Sequence, residues 1–173
     1  MSLIRAFIVC AAVLLPTLAL AQAGPTRAAA AAQDRPLPDF LVQDPDGHDT
    51  ASSVMSAQAK WLLIYVTPDC RPCNTLLRAM PRWRANGLSS RVVLVVSGPR
   101  PAAQQWVEKM LAPELQLTWY ADPDRAAARA LELSGAPVLI GVRNGAVEWQ
   151  VGGVLNDPAA LESVVRSWVE DRQ

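Results

Sequence analysis

Two continuous apolar runs frame this chain. Trp61-Leu62-Leu63-Ile64-Tyr65-Val66 ends at Thr67-Pro68, and Val92-Val93-Leu94-Val95-Val96 follows Arg91. Neither run alternates with polar residues, so each reads as a strand buried on both faces, over Trp61–Thr67 and Arg91–Val96. Between them, helix propensity resumes at Arg71 and runs to about Asn86-Gly87, a good C-terminal stop, with Pro81 expected to kink or divide it. Pro101 to Leu111 reads as a helix with Trp106, Val107, Met110 and Leu111 on one face, and Leu117–Tyr120 as a short strand. Asp122-Pro123 gives an N-cap with proline at the first helical position, opening a helix to about Leu133. Pro137–Val142 and Ala146–Val151 flank Asn144-Gly145, the signature of a type I′ hairpin. Asp157-Pro158 opens a last helix, in which Leu161, Val164, Val165, Trp168 and Val169 fall on one stripe.

The order is therefore β-α-β, further helix, a β-hairpin and a closing helix. A parallel unit followed by an antiparallel pair implies an α/β domain with one central mixed sheet and helices on both faces. Leu37-Pro38-Asp39-Phe40 opens that domain, followed by Leu41-Val42 and the turn Asp44-Pro45-Asp46-Gly47.

The N-terminal segment has a different character. Residues 1–21 read as a secretory signal peptide, with Arg5 before the apolar stretch Ala6 to Leu20 and a small-residue cleavage site at Ala19-Leu20-Ala21 or Ala21-Gln22-Ala23. The stretch is interrupted by Pro16 and is shorter than the roughly 20 residues of a spanning helix. If retained, it would tether the domain to a membrane. Cys10 lies inside it as one apolar residue among others. Residues 22–36 are mainly Ala, Gln, Gly, Pro and Arg without an apolar period, a flexible lead, which leaves 37–173 as one domain. The chain carries 16 basic and 16 acidic residues, so charge makes no case for a nucleic acid or an anionic membrane as partner.

Two cysteines remain after the signal, in Cys70-Arg71-Pro72-Cys73, where the first strand hands over to a helix. Export implies a compartment that permits disulfides. A structural staple is the bland reading, but a staple stabilises more when it closes a long loop, and this one closes almost none. On the first turn of a helix the dipole favours a thiolate, which is the reagent of thiol–disulfide exchange. Pro72 lacks an N–H and suits that first turn.

With Gly135-Ala136-Pro137 opening a later strand, and the terminal hairpin and helix, the chain resembles the thioredoxin superfamily. Leu37-Pro38-Asp39-Phe40 with Asp46-Gly47, and Tyr120-Ala121-Asp122-Pro123-Asp124-Arg125, look like its TlpA/ResA-like branch of exported thiol-disulfide oxidoreductases. The likeness covers about 37–173 and implies a thioredoxin-like domain there. It implies that Cys70 is the nucleophilic cysteine, Cys73 the buried resolving one, and Pro137 a cis-proline facing them. It also implies that Ala136 pairs its backbone with bound substrate, with Arg71 and Pro72 lining the same surface. A plain strand-start proline is the alternative for Pro137. No cofactor and no metal are implied. The implied partners are protein thiols and disulfides of the exported, periplasmic compartment, with a membrane electron donor to recharge the protein.

The chain departs from the pattern at several points. Asp69 stands before Cys70 where the family usually has an aromatic; its carboxylate opposes thiolate formation, whereas Arg71 favours it. The family's buried acid falls on Ile64, which leaves Glu108, Glu114 or Glu132 as candidate proton donors. There is no His between the cysteines, which disfavours a strong oxidant, and Pro72 with the TlpA-like opening implies a reductant of partner-protein disulfides. Three other readings compete. A thiol peroxidase would need Pro four residues before Thr67, where Leu63 stands. A copper chaperone would hold a soft ion on two thiolates, while His48 alone does not complete a tetrahedral site. A non-catalytic thioredoxin-like binding module needs no redox pair at all.

Overall fold

The computed structural model describes residues 31–81, 87–111, 117–153 and 158–170. The signal segment, with Cys10, lies outside the described residues, as do Trp83, Asn86, Glu114 and Asp157. The strands are β1 (Ala31–Pro36), β2 (Leu41–Gln43), β3 (Asp49–Ala51), β4 (Lys60–Val66), β5 (Val92–Ser97), β6 (Thr118–Asp122), β7 (Val138–Arg143) and β8 (Ala146–Gly152). The helices are α1 (Arg71–Ala79), α2 (Arg100–Met110), α3 (Ala126–Ala130) and α4 (Pro158–Glu170).

All the strands join one sheet, in the order β1-β8-β7-β4-β5-β6-β2-β3. The apolar run from Trp61 to Val66 occupies its centre, and every residue of β4 is buried. β4 runs parallel to β5, with Ile64 opposite Leu94, and antiparallel to β7, with Ile64 opposite Leu139. The pleat divides its side chains between two cores. Leu62, Ile64 and Val66 pack with Leu76 and Leu77 of α1, Ala103 and Trp106 of α2, and Leu161 and Val165 of α4. Trp61, Leu63 and Tyr65 pack on the other face with Phe40, Val42, Met55 and the α3 residues Ala127 and Ala128. Leu62, Leu63 and Ile64 are completely buried, each contributing about 1.5–3 kcal/mol. The sheet is thus mixed, with helices on both faces, as the order of elements predicts.

Where elements differ from their expected bounds, the cause is local. Helix α1 stops at Ala79, and Met80 bonds back to Leu77 at 3.1 Å; Pro81 has no N–H to continue the ladder. The strand expected over Leu117–Tyr120 runs on through Asp122, and α3 is shorter than expected. Its N-cap residue is Arg125 at φ 55°, yet Asp122 still caps it, accepting from the N–H groups of Ala127 at 3.2 Å and Ala128 at 3.3 Å. Its C-terminus closes as a Schellman motif, with Leu133 N–H on Ala128 O and Glu132 N–H on Arg129 O, and Glu132 at φ 56° takes the left-handed position. In the β7–β8 hairpin Asn144 and Gly145 have φ 50° and 75°, the type I′ geometry. Residues 31–36, assigned from sequence to the lead, pair with β8 as an edge strand. Backbone hydrogen bonds make that pairing, so no apolar period announces it.

Candidate functional site

The site forms where β4 runs out. Past Val66 the chain turns, with Cys70 N–H bonding to Thr67 O at 3.1 Å, and Cys70 becomes the N-cap of α1. Its carbonyl accepts the first helical N–H, from Asn74 at 3.3 Å. Its Sγ accepts the N–H of Cys73 at 3.1 Å, the place a capping serine or aspartate oxygen usually takes. A negative sulfur there meets a backbone donor and the positive end of the helix dipole. Pro72 falls in the first turn, where its missing N–H leaves no bond unmade.

Cys70 and Cys73 are joined as a disulfide with Cα atoms 5.2 Å apart. The two sulfurs differ in surroundings. Cys70 is half-buried and borders the core, whereas Cys73 is completely buried among Leu62, Ile64, Val66 and Leu77. Asp69 and Arg71 beside them are exposed, and Pro72 is half-buried.

The opposing wall comes from the loop between α3 and β7. The Ala136–Pro137 peptide bond is cis, and Ala136 O lies 3.3 Å from Cys70 Sγ. Pro137 is buried, and its carbonyl accepts the N–H of Gly153, which ties the loop to the end of β8. Cys70, Cys73, Ala136 and Pro137 therefore meet at one point from two elements 66 residues apart. Arg71 and Pro72 adjoin it through the chain.

The other singled-out residues lie elsewhere. Ile64 is packed in the same core as Cys73, so that position carries no acid. Glu108 is exposed and accepts from Gln104, and Glu132 is exposed at the end of α3. His48 sits on the β2–β3 turn, where its Nδ1 lies 3.3 Å from Asp44 Oδ2. Asp44 Oδ1 also accepts the N–H groups of Asp46 and His48. The His48 backbone bond, ahead of the imidazole, holds the Asp44 carboxyl below its ordinary range. Asp44, Asp46 and His48 offer ligand atoms within 4.8 Å of one another, but these hydrogen bonds account for the arrangement as a turn. A groove of about 300 Å³ beside α3, lined by Arg125, Ala128, Arg129, Glu132 and Leu133, includes neither cysteine. Of the tryptophans, Trp61 and Trp106 are buried, while Trp119, Trp149 and Trp168 are half-buried at the margin of the core.

Sequence reasoning passed over one polar pair near the site. Tyr65, on the face of β4 away from α1, donates its hydroxyl to Asp122 Oδ2 at 3.1 Å, and Asp122 is completely buried. Burial raises the Tyr65 phenol above its ordinary value; a Ser97 hydrogen bond offsets part of this, and the Asp122 charge adds to it. The only signal was a tyrosine inside an otherwise apolar run.

Solved structures share this architecture. The Mycobacterium tuberculosis protein DsbF is 22% identical, with a TM-score of 0.60 over 75% of this chain and 94% of that one. A secreted M. tuberculosis disulfide oxidoreductase homologous to Escherichia coli DsbE is 18% identical, with a TM-score of 0.60 over 74% of this chain and 95% of that one. The exposed lipoprotein thioredoxin Etrx1 of Streptococcus pneumoniae is 18% identical, with a TM-score of 0.58 over 75% of this chain and 98% of that one. At these identities the likeness establishes the thioredoxin-like fold. No curated protein sequence matches the chain. The AhpC/TSA family matches residues 34–159, a stretch that holds the cysteine pair, the proline loop and the whole sheet from β2 to β8, and the chain belongs to that family.

Proposed function

We propose that this protein is an exported thiol–disulfide oxidoreductase whose redox pair is Cys70 and Cys73, acting as a reductant of disulfides in partner proteins. One observation carries the reading: a half-buried sulfur caps a helix N-terminus, its disulfide partner is fully buried, and a carbonyl of the proline loop stands 3.3 Å away. In the reduced protein, Cys70 thiolate attacks one sulfur of a substrate disulfide. That S–S bond breaks, a Cys70–substrate disulfide forms, and the other substrate sulfur leaves as a thiolate. Cys73 then gives up its proton and attacks Cys70 Sγ, releasing the second substrate sulfur. The departing substrate thiolates take up the Cys73 proton and one from solvent. Two electrons pass to the substrate, and Cys70–Cys73 ends oxidised.

Cys70 supplies the nucleophile because the Cys73 N–H and the helix dipole favour its thiolate. Cys73 resolves because it is buried and reaches only Cys70. Ala136 and Pro137 form the surface against which a substrate chain lies, beside Arg71 and Pro72. The absence of histidine between the cysteines supports the reducing direction. The apolar segment at residues 1–21 supports export. A reductant there needs recharging from a membrane electron donor. The peroxidase reading that the family name raises is not favoured, because Leu63 stands in place of the required proline and is packed in the core.

The test is capture of mixed disulfides by Cys73→Ser in the exported compartment. The variant should accumulate a partner bound through Cys70, and Cys70→Ser should accumulate none. If neither variant traps a partner and both match the wild type in disulfide reduction, the mechanism is wrong. A reduction potential near about −270 mV would support the reducing direction, and one near about −120 mV would reverse it.

A further inference from the structure

We propose that Tyr65 and Asp122 are positioning residues of the redox site, which hold the Ala136–Pro137 loop in place against Cys70 from the opposite face of the sheet. This rests on the reading of Cys70 as the nucleophile, but its test does not depend on turnover. Asp122 is completely buried, and the exchange steps do not use it. Its Oδ1 accepts from Ala127 N–H at 3.2 Å, and its Oδ2 from Ala128 N–H at 3.3 Å and the Tyr65 hydroxyl at 3.1 Å. Its backbone carbonyl accepts from Gly98 N–H at 3.0 Å and Arg125 N–H at 3.3 Å. One aspartate thus ties together β4, the β5–α2 junction, β6 and the start of α3.

The loop that bears Ala136 hangs between two of those tied elements. On one side, Leu133 closes the C-terminus of α3 through Ala128 O, the same Ala128 whose N–H bonds Asp122. On the other side, Val138 follows Pro137 directly and stands opposite Tyr65 in the β4–β7 register. Only residues 134–137 lie between. The Tyr65–Asp122 bond therefore spans the two ends of the loop, and Tyr65 lies one residue before Val66, where β4 gives way to the Cys70 turn. An apolar ring at position 65 could fill the same space at little cost in stability, because Asp122 Oδ2 would keep its bond from Ala128 N–H. A directional tyrosine–carboxylate bond instead sets where the two ends sit relative to each other.

The consequence at Cys70 has a definite sign. Ala136 O, 3.3 Å from Cys70 Sγ, accepts the proton of a reduced thiol and opposes a thiolate. If the loop loosens, the thiolate forms more readily, while an extended substrate loses its docking edge. Asp69 and Arg71, the charged neighbours along the chain, are exposed and unchanged by the perturbation. Alkylation of Cys70 and attack on a protein disulfide should therefore move in opposite directions, with glutathione, a short peptide disulfide that feels both effects, between them; a loss of global stability does not produce this in the folded protein.

The experiment compares Tyr65→Phe and Asp122→Asn with Val147→Ala, a buried residue of β8 opposite Val142, at the far end of the sheet. Iodoacetamide alkylation of reduced Cys70 is measured at mildly acid pH in the Cys73→Ser background. Reduction of insulin and of oxidised glutathione is measured with both cysteines present. Tyr65→Phe should speed alkylation about fivefold and lower kcat/KM for insulin about fivefold, the equivalent of one ordinary hydrogen bond, with glutathione reduction within twofold of wild type. Val147→Ala should move none of the three. The proposal is overturned if Tyr65→Phe stays within twofold on alkylation, or moves the rates no further than Val147→Ala. Should Asp122→Asn not fold, Tyr65→Phe decides alone. If the wild type reduces neither insulin nor glutathione, thiol exchange itself falls, and the alkylation rates still decide the positioning.

Discussion

Adding one methyl group at Gly141 should destabilise the protein by about 2 kcal/mol while leaving the Cys70–Cys73 disulfide intact. Gly141 is buried in β7, paired with Trp149 of β8 and Leu62 of β4. A Cβ there would lie 2.3 Å from Trp149 Nε1 and 2.4 Å from its Cε2. These atoms belong to a rigid indole, so the whole ring must swing away. That ring stands edge-on to Trp168, with centroids 5.3 Å apart and planes at 87°. Trp168 in turn donates Nε1–H to Glu148 at 2.8 Å and lies 4.9 Å from Lys60 Nζ. Overpacking of this kind costs about 1–3 kcal/mol. Loss of the aromatic pair adds about 0.5–1.5 kcal/mol, and replacing a strand glycine returns about 0.5–1 kcal/mol. Urea unfolding of Gly141→Ala followed by far-ultraviolet circular dichroism measures the net. The decisive control is the same substitution in a Trp149→Ala background, where it should be neutral or slightly stabilising. A loss below about 0.5 kcal/mol in the single variant, or an equal loss in both backgrounds, would refute the steric argument.

Further outcomes follow from the same structure. Cys70→Ser should abolish disulfide reduction, whereas Cys73→Ser should retain alkylation at Cys70, because the capping N–H of residue 73 survives the change; equal loss of thiol reactivity in both would contradict the division of roles. Tyr65 and Tyr120 are the chain's two tyrosines, and burial, ahead of their other causes, raises both above the ordinary value of 10.0. The folded state therefore binds these phenolic protons more tightly than the unfolded chain. The stability this contributes is complete below about pH 10 and is lost as pH rises through the folded values. Ultraviolet titration at pH 10 should show less phenolate in the native protein than in urea, and equal phenolate would count against their burial. Trp168→Phe should cost about 1–2 kcal/mol in urea unfolding through the lost bond to Glu148, and Glu148→Gln should cost less, since an amide oxygen can still accept it.

The elements legible in the sequence are those whose cause is local. The runs at 61–66 and 92–96 are strands because short runs rich in β-branched and aromatic residues, too brief for a helix, are hidden by covering a strand on both faces. Asn144-Gly145 makes its hairpin because both residues tolerate positive φ. The cysteine pair lands on a first helical turn because a strand end, a proline and a helix-forming stretch follow one another there. Glu132 in a left-handed position carries no such signal, so α3 ends before the Leu133 that the sequence pattern predicts. Residues 31–36 join β8 through backbone bonds that side chains do not announce. Asp122 looks like a cap from its neighbour Pro123, and does cap α3, but from the end of a strand.

By itself, then, the sequence determined the order of strands and helices from β4 onward, the mixed sheet, and the placing of two thiols at the start of a helix. Each depends on contacts within a turn or on burial of a contiguous run. Tertiary structure alone decided which cysteine is reachable, that Ala136 O stands against Cys70, and that Tyr65 meets Asp122. Those facts join residues 57 to 66 positions apart, and packing of the sheet, with no pattern along the chain, brings them together.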